Sequence, residues 1–180
     1  MNTLNSHKKN SLLKIKLMKN LFQKTIFLCL FLAVSIARGQ SPIIEDFRNI
    51  IKNIPANFDV LKKEMTEENK DKNYKLFTTT LADLPICDNF IFESPVEGTF
   101  LVLSYKVKNM DVMMMKIFNT MVPQYMNEIN EMIKTGNYKG EDFEENGKSI
   151  TEVTDLNGKI ILQYRSNSEE HRIMFYGSKK

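Results

Sequence analysis

Seven of the chain's eleven methionines fall in the stretch "NMDVMMMKIFNTMVPQYMNEINEMIK", from Asn109 to Lys134. A thioether is a soft ligand suited to Cu(I). The same side chain, unbranched and polarisable, also fills irregular apolar gaps and forms pliable binding surfaces. At 100° per residue from Asp111, the side chains of Met115, Phe118, Val122, Tyr125, Met126, Ile129 and Ile133 share one arc. That face is predicted to pack on a sheet. It continues across Pro123 without a change of phase, which predicts one kinked helix, ended by Gly136 at a C-cap position.

Met110, Met114, Ile117 and Met121 lie along one flank of this face, with Met113 further round. The first half of the helix is therefore apolar over a wider arc than one sheet contact requires, and three coverings are open. The isoleucine face of an earlier helix packs there, or Met110, Met113, Met114, Ile117 and Met121 bind a protein partner or an apolar ligand. The third covering is a Cu(I) ion held by Met110, Met114 and Met121.

Other chemistry is thinner. The sequence carries no Gly-x-Ser-x-Gly elbow, no His-Glu-x-x-His helix and no glycine-rich phosphate loop. Cys87 and His171 offer a thiolate and imidazole for a cysteine-dependent enzyme. The plainer reading is a buried cysteine beside "LPI" and a solvent-facing histidine after "SNSEE". The acidic group Glu141, Asp142, Glu144 and Glu145 lacks the alternating oxygen ligands and central glycine of a calcium loop. It reads as a charged edge strand with Phe143 turned inward. No catalytic residue and no cofactor is assigned.

The elements that would position these residues come in a clear order. "HKKNSLLKIKLMKNLFQK" supplies six lysines and no acid ahead of the apolar run Thr25 to Ala37. That pattern predicts a secretory signal peptide over residues 1–39, cleaved after Gly39 or Ala37, with Met18 as the true start. The run is too short for a stable membrane span, and bulky residues before Cys29 argue against a lipid-anchored cysteine. Removing residues 1–39 leaves 18 basic against 22 acidic residues, a net charge of −4. No basic face remains for nucleic acid. Cys87 is then the only cysteine, which excludes an internal disulfide.

Residues 40–180 suit a single domain. Ile43, Ile44, Phe47, Ile50, Ile51 and Ile54 recur at helical spacing, and a further short turn with Phe58, Leu61 and Met65 runs into the charged loop "TEENKDKN". "YKLFTTTLA", "NFIFES" and "GTFLVLSYKVK" read as strands, the last one central because both its faces are apolar. After the long helix, "YKGEDFEE", "KSITEVTD", "KIILQYRS" and "HRIMFYG" form a meander, with Asn146-Gly147 as a tight hairpin turn. No internal repeat is visible.

The expected architecture is α+β. An antiparallel sheet of about six or seven strands, in two sets, flanks one long kinked helix, with the short N-terminal helices packed mainly on one face. The expected product is an exported, periplasmic or extracellular, small soluble protein that acts by binding.

Overall fold

The computed structural model describes residues 42–178, apart from 82, 83 and 85. The segment expected to be a signal peptide, with Met18, Cys29 and both expected cleavage positions, lies outside the described residues. Helix α1 spans Pro42–Asn53, and two 3-10 turns, Ile54–Ala56 and Asp59–Leu61, lead into the first strands. These are β1 Lys62–Asn69, β2 Tyr74–Thr79, β3 Asp88–Ser94 and β4 Gly98–Lys106. A 3-10 turn at Val107–Asn109 precedes helix α2, Val112–Lys134. The last four strands are β5 Tyr138–Glu145, β6 Lys148–Asp155, β7 Ile160–Ser166 and β8 Glu170–Tyr176.

The eight strands form one antiparallel sheet in the order β1-β2-β3-β4-β8-β7-β6-β5. The fold is α+β, with eight strands rather than six or seven. The additional strand is β1, where the sequence suggested a helical turn and a charged loop. An edge strand hydrogen-bonds on one side only, and seven of β1's eight residues are polar, so it carries no alternating apolar signal. The chain enters β1 through Asn57 and Phe58, both left-handed at φ 52° and 60°. That backbone is costly for a bulky residue. It is held here by a Phe58 side chain that is fully buried.

A repeated order emerges that the sequence conceals: a helix and a four-strand meander, then the same again, with β4 and β8 meeting at the centre. The meanders need only tight turns. Asn146 and Gly147 close β5 on β6 at φ 51° and 72°, the torsions of a type I′ hairpin. The one long connection, from central β4 to edge β5, must cross roughly four strand spacings, or about 19 Å. Helix α2, about 35 Å long at 1.5 Å per residue, spans that distance.

Both helices pack on one face. Ile43, Phe47 and Ile50 of α1 and Ile54 of the turn that follows it are buried, as are Phe118, Met121, Tyr125 and Ile129 of α2. They meet Leu101, Leu103 and Tyr105 of β4, Ile173 and Phe175 of β8, and Leu162 of β7, residues that alternate along their strands. Phe47 lies edge-on to Phe175 at 5.5 Å and beside Tyr125 at 5.8 Å. Arg48 donates two hydrogen bonds to Glu128, at 2.9 and 3.0 Å, aligning α1 with the second half of α2. Val107, expected to continue β4, instead opens the 3-10 turn. Among the described residues no helix is long and apolar enough to cross a membrane.

Candidate binding surface

The second face of the sheet carries no helix of the described residues. The register places on it Leu76 of β2, Phe92 of β3, Phe100 of β4 and Tyr176 of β8 as one row across four strands. Tyr74 lies at one end of this row. Ring centroids are 5.3 Å apart for Tyr74 and Phe92, 5.9 Å for Phe92 and Phe100, and 5.1 Å for Phe100 and Tyr176. These are the separations of attractive tilted and edge-to-face aromatic pairs. The rings are half-buried, while Val102, Ser104, Ile150 and Gln163 on the same face are buried among the larger side chains.

The row ends in a polar cluster. Tyr176 donates from its hydroxyl to Gln163 Oε1 at 2.7 Å, and Gln163 Nε2 donates to Glu152. Arg165 donates from Nε and Nη2 to the same Gln163 oxygen at 3.1 and 2.8 Å. Burial raises the Tyr176 hydroxyl above its ordinary pKa although Arg165 acts the other way. Arg165 stands directly opposite Arg172 across β7 and β8, an unfavourable like-charge pairing. Arg172 is steadied by Glu170 at 2.7 Å, which also accepts from Ser104 at 2.8 Å. Burial by itself would raise the Glu170 carboxyl, but the hydrogen bonds from Ser104 and Arg172, with the charge of Arg172, bring it below its ordinary value. This surface combines aromatic anchors with arginines held in fixed directions.

The methionine flank has a different layout from the helical stripe. Asp111 caps α2, its Oδ1 accepting from Met114 N at 2.8 Å, so Met110 lies before the helix in extended backbone. Met121 is in the core at 1% exposure, and Met110, Met113, Met114 and Ile117 are half-buried. The buried face therefore runs through Phe118, Met121, Tyr125 and Ile129, with Met115, Val122, Met126 and Ile133 half-buried beside it. For the candidate Cu(I) ligands, seven residues of helix separate Met114 from Met121, about 10 Å along the axis, and Met110 is off the helix. Met114 and Met121 lie two turns apart on one helical stripe, which Met110 does not join.

Cys87 and His171 lie toward the helix-covered face but not side by side. Cys87 immediately precedes β3, whose Asp88 pairs with Ser104, and the next residue, Tyr105, pairs with His171. Tyr105 thus stands between them, and two strand spacings amount to about 10 Å. The cysteine is buried near the hydroxyls of Tyr105 and Tyr125, which are hydrogen-bonded at 3.0 Å. Burial, reinforced by Tyr125 and Cys87, raises Tyr105 well above its ordinary pKa.

His171 is not the solvent-facing residue expected. It is half-buried, with Phe118 edge-on at 4.8 Å and Nδ1 hydrogen-bonded to the Tyr164 hydroxyl. Burial lowers its pKa. The acidic group lies on edge strand β5, as the sequence implied, but Phe143 is 40% exposed rather than inward. Among the described residues no group of three or more histidines, cysteines, aspartates or glutamates is placed to hold a metal ion.

The sequence made Phe100 and Val102 visible as a second apolar face of β4. The aromatic row itself needs the register of four strands, which no local pattern encodes. Comparison with protein-family models, curated proteins and solved structures finds no match to this chain.

Proposed function

We propose that the chain is an exported binding protein, not an enzyme, and that it holds a protein partner on the helix-free face of its sheet. The observation that carries this reading is the composition of that face. Tyr74, Phe90, Phe92, Phe100, Tyr176, Met174, Arg165 and Arg172 are of the residue types enriched in protein interfaces. Eight strands about 4.8 Å apart and about 24 Å long offer roughly 800 Å², the area each partner contributes to an interface of standard size. By register Lys106 and Lys148 also lie on this face, away from the aromatic row.

The test is a photo-crosslinking benzoylphenylalanine in place of Tyr176, with the same group at the exposed turn residue Leu156 as control, in cells that express the chain. The expected result is a discrete protein adduct from position 176 alone, lost with Phe100→Lys while the unfolding midpoint shows the fold retained. Equal labelling at both positions, or none at 176, overturns the reading. Export is tested separately by N-terminal sequencing of the chain recovered outside the inner membrane, where Gln40 or Arg38 is expected as the first residue.

A further inference from the structure

We propose that β5 is an accepting edge that takes a basic, extended segment of a partner protein as a ninth strand. This stands on β5 and does not rest on the helix-free face. The sheet has two edges, and they differ. β1 breaks register twice against β2, between Lys62 and Met65 and again between Met65 and Glu67. Such irregularities spoil an edge as a template. β5 pairs with β6 through eight consecutive residues without a break. Apart from Tyr138, every residue of β5 is exposed.

The hairpin determines which backbone groups face outward. In a two-residue type I′ turn the closing pair, here Glu145 and Lys148, exchanges hydrogen bonds, and the ladder then alternates. Glu145, Phe143 and Glu141 are therefore bonded to β6. Glu144, Asp142 and Gly140 turn their N–H and C=O groups away from the sheet, and no described residue meets them.

The side chains select the incoming strand. Glu141, Phe143 and Glu145 project on one face, Asp142 and Glu144 on the other. Asp142 accepts from Thr151 at 2.6 Å, and Glu145 is a loose 4.0 Å from Arg165. Glu141 and Glu144 form no ion pair among the described residues. A second copy of β5 laid antiparallel about Phe143 sets Asp142 against Glu144 and Glu141 against Glu145, so like-charge repulsion works against self-pairing in that register. A lysine- or arginine-rich strand meets opposite charge on both faces. An apolar residue opposite Phe143 completes the match.

The experiment titrates the purified protein with the acetylated, amidated peptide Thr-Lys-Lys-Val-Lys-Lys-Thr, following backbone amides by NMR. A second peptide carries N-methyl groups on the two lysines that flank valine, removing the donors aimed at Asp142 and Glu144 but keeping every charge. A third replaces each lysine with glutamate. Strand addition predicts saturable shifts and slowed hydrogen exchange at Gly140, Asp142 and Glu144, at least tenfold weaker binding of the N-methylated peptide, and none of the acidic one. Glu141→Gln with Glu144→Gln weakens binding in a protein that remains folded. Equal binding of the N-methylated peptide reduces the effect to charge attraction and overturns the inference. So does equal binding of the acidic peptide, or the absence of saturation at millimolar concentration.

Discussion

Met121 provides the sharpest test of how the methionine run is used. It is 1% exposed between the two helical flanks, with Phe118 and Tyr125 on the same face of α2, whereas Met113 is half-buried near the helix start. Met121→Ala removes three heavy atoms from a packed site. Lost transfer energy and the residual cavity together cost about 3 kcal/mol. At about 2 kcal/mol per molar urea, the unfolding midpoint falls by about 1.5 M. Met113→Ala leaves a gap open to solvent rather than a cavity, so its cost stays below about 1 kcal/mol. Urea unfolding followed by circular dichroism measures both. Brief peroxide oxidation with mass spectrometry gives an independent reading, because sulfoxide forms where the thioether is accessible. Among the methionines of the described residues, Met65, at 53% exposure, oxidises first and Met121 last. Met121 oxidising in step with Met65, or Met121→Ala costing no more than Met113→Ala, refutes the placement of this helix face.

Three further outcomes follow from the packing. Gly177→Ala puts a Cβ 2.6 Å from Asn57 Oδ1 and 3.1 Å from the Thr99 carbonyl, which also accepts from Gly177 N, so thermal unfolding should show a loss of about 1–3 kcal/mol. Tyr105→Phe removes the donor to the buried Tyr125 hydroxyl at a cost of about 1–2 kcal/mol. The double variant Tyr105→Phe with Tyr125→Phe should cost less than the sum of the two single changes. Burial lowers the pKa of His171, so the folded state favours the neutral ring. Its contribution to stability is complete above the unfolded value of about 6.5 and is lost as pH falls toward the depressed folded value. Glu170 is also depressed, and its contribution is lost further down, as pH falls from the unfolded carboxyl range through its folded value. Urea midpoints at pH 7.5 and 5.5 should therefore drop for the parent chain and change less for His171→Gln.

Local chemistry was legible wherever a residue's neighbours in sequence decide its state. The helix over Pro42–Asn53, the continuous helix through Pro123 to Lys134, and the Asn146-Gly147 hairpin follow from apolar period, capping and positive backbone torsions. The centrality of β4 followed from two apolar faces, and the edge position of β5 from its charge. Four things were settled only by tertiary structure. The existence of β1 depends on β2 as a partner, since its own residues carry no apolar alternation. Met121 is core because α2 rolls until Phe118, Met121, Tyr125 and Ile129 meet the sheet, an angle set by the opposing surface rather than by the helix. Tyr105 separates Cys87 from His171 because β4 lies between β3 and β8, and residues 84 positions apart in sequence meet or miss through strand order alone. The row from Tyr74 to Tyr176 exists only once four strands are in register. Hydrophobic pattern specifies which face of each strand turns inward, and pairing decides which side chains become neighbours.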